Sequence, residues 1–468
     1  MLDVLAIVYI ALPSFFYLGG WIAPAYGIPA AAALALCVAL SFTGAFVWTR
    51  RFRILPTAIA LGVAALWATL GGVGHFVYAN ADWIVRDAAL LDLVRNPWPV
   101  VYDAVAGQPA LMLRAPIGFY LPAAAIGKLL GIRVAELALL AWTVLGVFLT
   151  FMLMQRDHPR ASQLLARLAV FVLFSGMDIV GWMTHHNPYS IGEHLEWWAY
   201  LFQYSSHTTQ LFWVPNHALP GWIAIAWLLG YQGRSLPIGL AILMVALTPL
   251  WSPLTAIGLA PIFGVAIVAE LFGKRSWSSL VALVDLRVVV AVLICCALVY
   301  PYLLLGSETI GSGLASRVPW VGEDIVPRYV EFVLFEFALF ATLLLWRHGF
   351  EPLLVCAVAV LLVLPLYRFG GANDLAMRAS IPALALLAIR LGDWLSTPVA
   401  QTRDARARVF AVALLAIGAV TPLMEIARVF IEPRWNMDTA HSVLEVTHGR
   451  ASNYLTPRNQ PWANRFLR

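Results

Sequence analysis

The sequence predicts an all-α polytopic membrane protein of about 13 transmembrane helices, and three observations predict it. The chain of 468 residues is 61% hydrophobic and only 12% charged, with a mean hydropathy of +0.81. A soluble domain with that composition lacks the polar groups to cover its surface. Apolar runs near the length that one helix needs to cross a bilayer recur along the chain. Nineteen Trp and fifteen Tyr suit a protein with two membrane–water interfaces to anchor. The alternating period-two strands of a transmembrane barrel do not occur in the sequence.

Taken in order, the spans are expected near 2–19, 29–49, 54–74, 134–154, 164–183, 217–230, 236–251, 253–272, 287–305, 329–346, 352–366, 379–395 and 408–424. The first has no basic stretch before it and no A-x-A site before Gly19, so it reads as a membrane helix rather than a cleaved signal. Cys37, Cys295, Cys296 and Cys356 all lie in apolar runs, without disulfide or metal spacing. The net charge of +5 fits positive loops, and no basic run is long enough to expect nucleic acid as a partner. Lysine is confined to Lys128 and Lys274 beside many arginines, a bias that suggests a GC-rich bacterial genome, and a multi-pass helical chain of that origin is expected in the inner membrane with its active site facing the periplasm.

Orientation follows from arginine in short loops. Arg50, Arg51 and Arg53 form the tightest cluster, which places that turn in the cytoplasm. Alternation then puts 156–167, 273–279, 346–352 and 402–408 on the same side, provided that 116–130 does not cross. That segment is short and carries Lys128, so it reads as re-entrant or interfacial. Loops 75–133, 184–216, 306–328 and 367–378 fall outside the cytoplasm. The chain divides into a helical domain, 1–428, and an extracytoplasmic segment, 429–468, read as a small cap or a partly disordered tail.

In a chain that avoids charge, residues 80–103 gather Asp82, Arg86, Asp87, Asp92, Arg95 and Asp103. Asp82 opens a helical run that ends before Pro97. The plain reading makes Asp82 an N-cap with Arg86 as its surface partner at i+4. Asp92 and Asp103 are expected to be solvated.

The pieces ADWIVRD (81–87), DLVRNPWPVVY (92–102) and LRAPIGFYLPAAAIGKLLG (113–131) together resemble the GT-C superfamily of integral membrane glycosyltransferases. The resemblance covers roughly residues 1–160 and rests on topology and loose motifs. Members have many helices and a first large external loop with a catalytic acid, amphipathic juxtamembrane helices and a Pro/Tyr-rich stretch. The resemblance implies a sugar transferred from a polyprenyl-phosphate donor to a glycan, lipid or protein acceptor, with inversion. It implies Asp82 as general base, with Asp87 as the other candidate. One departure is plain: two apolar segments, 2–19 and 29–49, precede the family's usual start.

Three further places attract attention. The loop 184–220 holds His185, His186, His194, His207 and His217 with Glu193 and Glu196. A divalent cation is possible there, yet no zinc spacing and no HExxH occurs, so hydrogen bonding in an aromatic cleft is the better expectation. Trp197, Trp198, Tyr200, Phe202, Tyr204, Phe212 and Trp213 are candidates to stack on sugars or to form an interfacial belt. At 368–382, Arg368, Asn373, Asp374 and Arg378 either make a helix-entry ion pair or bind lipid phosphate, for which guanidinium is suited; Arg317 and Arg328 are the reserve. Asp178 lies inside a span, where charge is rare.

The alternative functions are an O-antigen or exopolysaccharide polymerase or ligase, favoured by the histidine loop, and a lipid-linked-sugar transporter or flippase. The second is disfavoured by the absence of an inverted repeat.

Overall fold

The computed structural model describes residues 2–42, 53–103, 109–155, 160–185, 194–274, 285–317, 325–398, 404–449 and 453–468. His186 and Glu193 lie outside these residues, as do Arg50, Arg51 and the 156–159, 275–279 and 402–403 parts of the stretches used for orientation.

The chain is mostly helical. Among the described residues nine helices are long and apolar enough to cross a membrane: Leu2–Gly20, Pro24–Ser41, Ile132–Leu153, Ala161–His185, Pro253–Gly273, Leu286–Leu304, Ile325–His348, Asp374–Ser396 and Ala405–Ile431. Their outer faces carry large apolar side chains in the open, among them Leu36, Phe272, Leu293 and Val409. Water would penalise that surface, whereas lipid does not. Four expected spans form shorter apolar helices: Ile54–Leu70, Ile238–Leu247, Pro352–Leu366, and the wholly buried Pro215–Leu229. The segment expected not to cross forms the helix Leu121–Leu130. Ten residues span about 15 Å, half a hydrocarbon core.

The core is aromatic, although the count of Trp and Tyr suits anchoring at two interfaces. Trp67 stacks on Trp222 at 5.5 Å between ring centres, and Trp142 stacks on both Tyr9 and Trp251. Buried indoles need acceptors. Trp222 finds Gln210 Oε1, Trp67 finds Thr208 Oγ1 and Trp251 finds the Ile10 carbonyl. Interior hydrogen bonding thus takes several tryptophans away from the interfacial belt.

Two small antiparallel sheets depart from the expected all-helical plan. Leu111–Leu113 lies between Val101–Tyr102 and Leu455–Pro457, with Met112 opposite Val101 and Thr456. Ser312–Leu314 pairs with Tyr367–Phe369. The first sheet decides between the two readings of the 429–468 segment, which folds as a cap on the first large loop. Trp435 Nε1 donates to the Ala79 carbonyl, Val443 N to Asp92, and Leu467 bridges Ile22.

Candidate functional site

The helix Asp82–Arg95 carries the charged stretch. Its entry is fixed by neighbours rather than by Asp82. Asn80 Oδ1 accepts the Asp82 N–H, while Asn80 Nδ2 and Trp83 Nε1 both donate to the Phe212 carbonyl. Ala81, not Asp82, holds the cap position. The Asp82 carboxylate is therefore left out of capping. Its side chain stays 43% exposed and meets Arg86 Nη2 at 3.5 Å.

One turn on, Arg86 is buried at 3% exposure and is no surface partner. Its Nη1 donates to Asn216 Oδ1 at 2.9 Å and to the Tyr120 hydroxyl at 3.2 Å. Its Nε–H is buried with no acceptor among the described residues. Burial works against the charge, but Tyr120, Tyr454 and Asp82 outweigh it, so the guanidinium is held more firmly protonated than usual. An Arg kept charged in a dry place, with one N–H unused, is suited to an anion.

Asn216 begins a second group. It follows Pro215 in the first turn of Pro215–Leu229, beside His217. His217 Nδ1 lies 2.5 Å from Ser252 Oγ; Ser252 in turn donates to Thr255 Oγ1, and Thr255 donates to the His217 carbonyl. Thr255 also reaches the Arg378 carbonyl at 3.5 Å. Arg378 and Arg86 both lie within electrostatic reach of the His217 ring. The helix bearing Thr255 can approach Arg378 because residue 258 is glycine: a Cβ there would sit 1.9 Å from the Ala379 carbonyl oxygen. Arg378 is ion-paired with Asp374 at 2.6 Å, the expected i+4 contact.

Asp87 and Asp92 point elsewhere. Asp87 Oδ2 is 2.7 Å from His75 Nε2 in a buried pair, and His75 Nδ1 faces the Trp435 carbonyl. Burial pushes the Asp87 carboxyl up, against the pull of His75. Five residues of helix turn it about 140° from Asp82. Asp92 is not solvated as expected; it is buried and accepts from the Tyr102 hydroxyl at 2.6 Å and from Val443 N at 2.9 Å. It anchors the cap. Asp103 is exposed, as expected.

The histidine loop is divided among separate partners. His185 meets Glu331 at 2.7 Å, His194 meets Glu425 at 3.2 Å, and His207 Nδ1 faces the Phe171 carbonyl. Trp213 Nε1 donates to Glu425 Oε2. Among the described residues no group of three His, Cys, Asp or Glu side chains is arranged to hold a metal ion. Of the described loop aromatics only Trp197 and Tyr200 are exposed; Trp198, Phe202, Tyr204 and Phe212 are buried and cannot stack on a sugar.

The remaining arginines have other surroundings. Arg368 lies on the strand paired with Ser312–Leu314, which leads into Arg317. Arg328 lies over the Tyr200 ring, 5.1 Å from its centre. Asn373 is buried in a left-handed conformation and donates to the Leu201 carbonyl at 3.3 Å.

The loop's acid–base groups carry a pH dependence. Burial pushes Glu196 from 4.5 up to about 7. Burial opposes a proton on His194, yet the Glu425 hydrogen bond and the Glu196 charge prevail, and its pKa is raised from 6.5. Between 4.5 and about 7 the folded Glu196 binds more proton than the unfolded chain, so stability falls as pH rises. His194 contributes fully below 6.5 and loses its contribution as pH rises through its raised value. Both signs agree. The thermal midpoint should fall as pH rises from 4.5 through about 7, and Glu196→Gln should flatten that slope; an unchanged slope refutes the assignment.

The sequence reading missed Arg86, Asn216, Tyr120, Ser252 and Thr255. The available signal was Asn216 immediately before His217 at a Pro-initiated helix start. Comparison of the chain with family models, with curated proteins and with solved structures finds no match.

Proposed function

We propose that the protein is an inverting glycosyltransferase of the GT-C type, taking a sugar from a polyprenyl-phosphate donor at an extracytoplasmic site. The observation that carries this reading is the approach of a half-exposed carboxylate, Asp82, to the buried, incompletely satisfied guanidinium of Arg86, with Arg378 across His217. Asp82 removes the proton from an acceptor hydroxyl as it attacks the anomeric carbon. Arg86 and Arg378 stabilise the departing lipid phosphate. In this proposal the four shorter apolar helices complete about 13 spans. The sugar's place beside a donor headgroup at the bilayer surface requires no nucleotide.

The test is transfer from synthetic polyprenyl-phosphate hexoses and pentoses by the purified protein in lipid nanodiscs. Product with the anomeric configuration inverted supports the proposal; movement of donor across vesicles without bond change refutes it. Arg378→Ala should weaken donor use about tenfold, and Lys should rescue poorly because a point charge cannot replace a planar fork. Arg368→Ala should be milder, since Arg378 and Arg86, and not Arg368, lie within electrostatic reach of the His217 ring. Equal effects of the two substitutions contradict this placement.

Sidedness has its own measurement. In a background without the native cysteines, Asp103→Cys and Tyr200→Cys, both at exposed positions, should react with an impermeant thiol reagent in spheroplasts. Arg160→Cys should be protected until the membrane is opened. The reverse pattern turns the topology over.

A further inference from the structure

Away from the Asp82–Arg86 site, two irregular membrane segments meet. Ala161–His185 is broken: its first helix ends at Leu173 and its second begins at Asp178. Opposite the break, Ile325–His348 contains a π-turn at Leu334–Ala338, a form that recurs at functional places. Met177 N donates to the Phe335 carbonyl at 2.9 Å and joins the two irregularities. A Cβ on residue 176 would lie 2.2 Å from Glu336 Oε2, so the glycine there makes room for the carboxyl.

Glu336 and Asp178 are both buried, Asp178 at 0% exposure. Glu336 Oε1 accepts from Trp198 Nε1 at 3.0 Å. Asp178 Oδ2 accepts from Ser175 Oγ at 2.9 Å and from Thr421 Oγ1 at 2.8 Å. Asp178 Oδ1 is buried and meets no N–H or hydroxyl donor among the described residues. The Glu336 carboxyl, seated against Gly176, also lies within hydrogen-bonding reach of Asp178. Two ionised carboxylates repel; they hydrogen-bond only when one proton lies between them.

We infer that Asp178 and Glu336 form a carboxyl–carboxylate pair that binds a single proton and latches the broken segment to the π-turn. Glu336 carries the proton and donates it to Asp178 Oδ1, which satisfies the orphaned oxygen. Releasing that proton leaves two buried negative charges in contact, and the latch opens. The ligand is the proton itself, and the device is independent of sugar transfer.

The groups that face the pair fix its surroundings. Glu196, on Leu195–Ala199, is fully buried and within electrostatic reach of both acids; it accepts from Gln203 Nε2 and from Ser206 N. His194 Nε2 lies 3.7 Å from Glu196, and its other nitrogen meets Glu425, which is 3.3 Å from Arg428. On the other flank His185 pairs with Glu331, and its ring stacks near Trp198.

Infrared spectroscopy of the full-length protein in lipid, across a pH series in light and heavy water, reads this directly. In a Glu196→Gln background, which removes the other carboxyl that holds its proton up to about pH 7, a neutral-carboxyl stretch that persists at neutral pH and shifts on deuteration is expected, and Glu336→Gln should remove its contribution. Asp178→Asn should displace the same band by changing its acceptor, which covers the case in which the Gln variant does not fold. Glu336→Gln keeps a donor to Asp178, so its thermal midpoint should stay near the parent's, while Glu336→Ala should lower it. Absence of the band at neutral pH, or its persistence unchanged in both carboxamide variants, overturns the inference.

Discussion

Asp82→Asn should lower turnover by about 10²–10⁴-fold while leaving the fold intact, the usual scale for losing a general base. The asparagine keeps the size and polarity of the side chain, and capping is unaffected because Asn80 receives the Asp82 N–H. Among the described residues, the half-exposed side chain has no partner to strand other than Arg86, at 3.5 Å. Donor binding should therefore survive while transfer fails. Asp87→Asn is the comparison. Asp87 lies in a buried pair with His75, so its substitution should act on thermal stability before activity. Native transfer by Asp82→Asn would remove the base from the proposal, and a dead Asp87→Asn enzyme with native stability would move it to the His75 pair.

Arg86→Ala should have the second-largest effect, and it should be double. Removing the guanidinium leaves Asn216 Oδ1 and the Tyr120 hydroxyl without their donor in a buried place. Each stranded polar group costs about 1–3 kcal/mol, which should appear as a lower thermal midpoint. Transfer should fall on the order of 10²-fold beyond that, if the unused Nε–H serves the departing phosphate. Arg86→Lys separates the two effects: it retains the charge but not the fork, so folding should recover more than activity. Parallel recovery of both would reduce Arg86 to a structural role.

Much of the fold was legible because the governing quantity is local. Length and apolarity alone mark Ile132–Leu153 or Pro253–Gly273, and the Pro97 stop is visible in the sequence of the Asp82 helix. Long-range partnership was not legible. Nothing in DWIVRD distinguishes a surface Arg86 from one buried against Asn216, 130 residues away. The same holds for Asp92, which reads as a solvated charge until Val443 arrives to donate to it. Tryptophan illustrates a related point: composition suggests an interfacial belt, but acceptors such as Gln210 decide which indoles go inside. Asp178 was singled out as suspicious; its partner Glu336 was not, because a π-turn leaves no local pattern in FEFA.

The pairing of Leu111–Leu113 with Leu455–Pro457 bears on the order in which the molecule can be built. The middle strand emerges from the ribosome early, and its second neighbour emerges after nearly all the helices have been inserted. Until then the loop that carries Asp82 and Arg86 lacks Tyr454 beside its guanidinium and Val443 on Asp92. Nascent chains should therefore hold a complete set of membrane helices and an unfinished surface loop, and non-local closure of this kind is slow. The loop acquires its final shape as the last event of assembly, so that chains released early are inserted but inert.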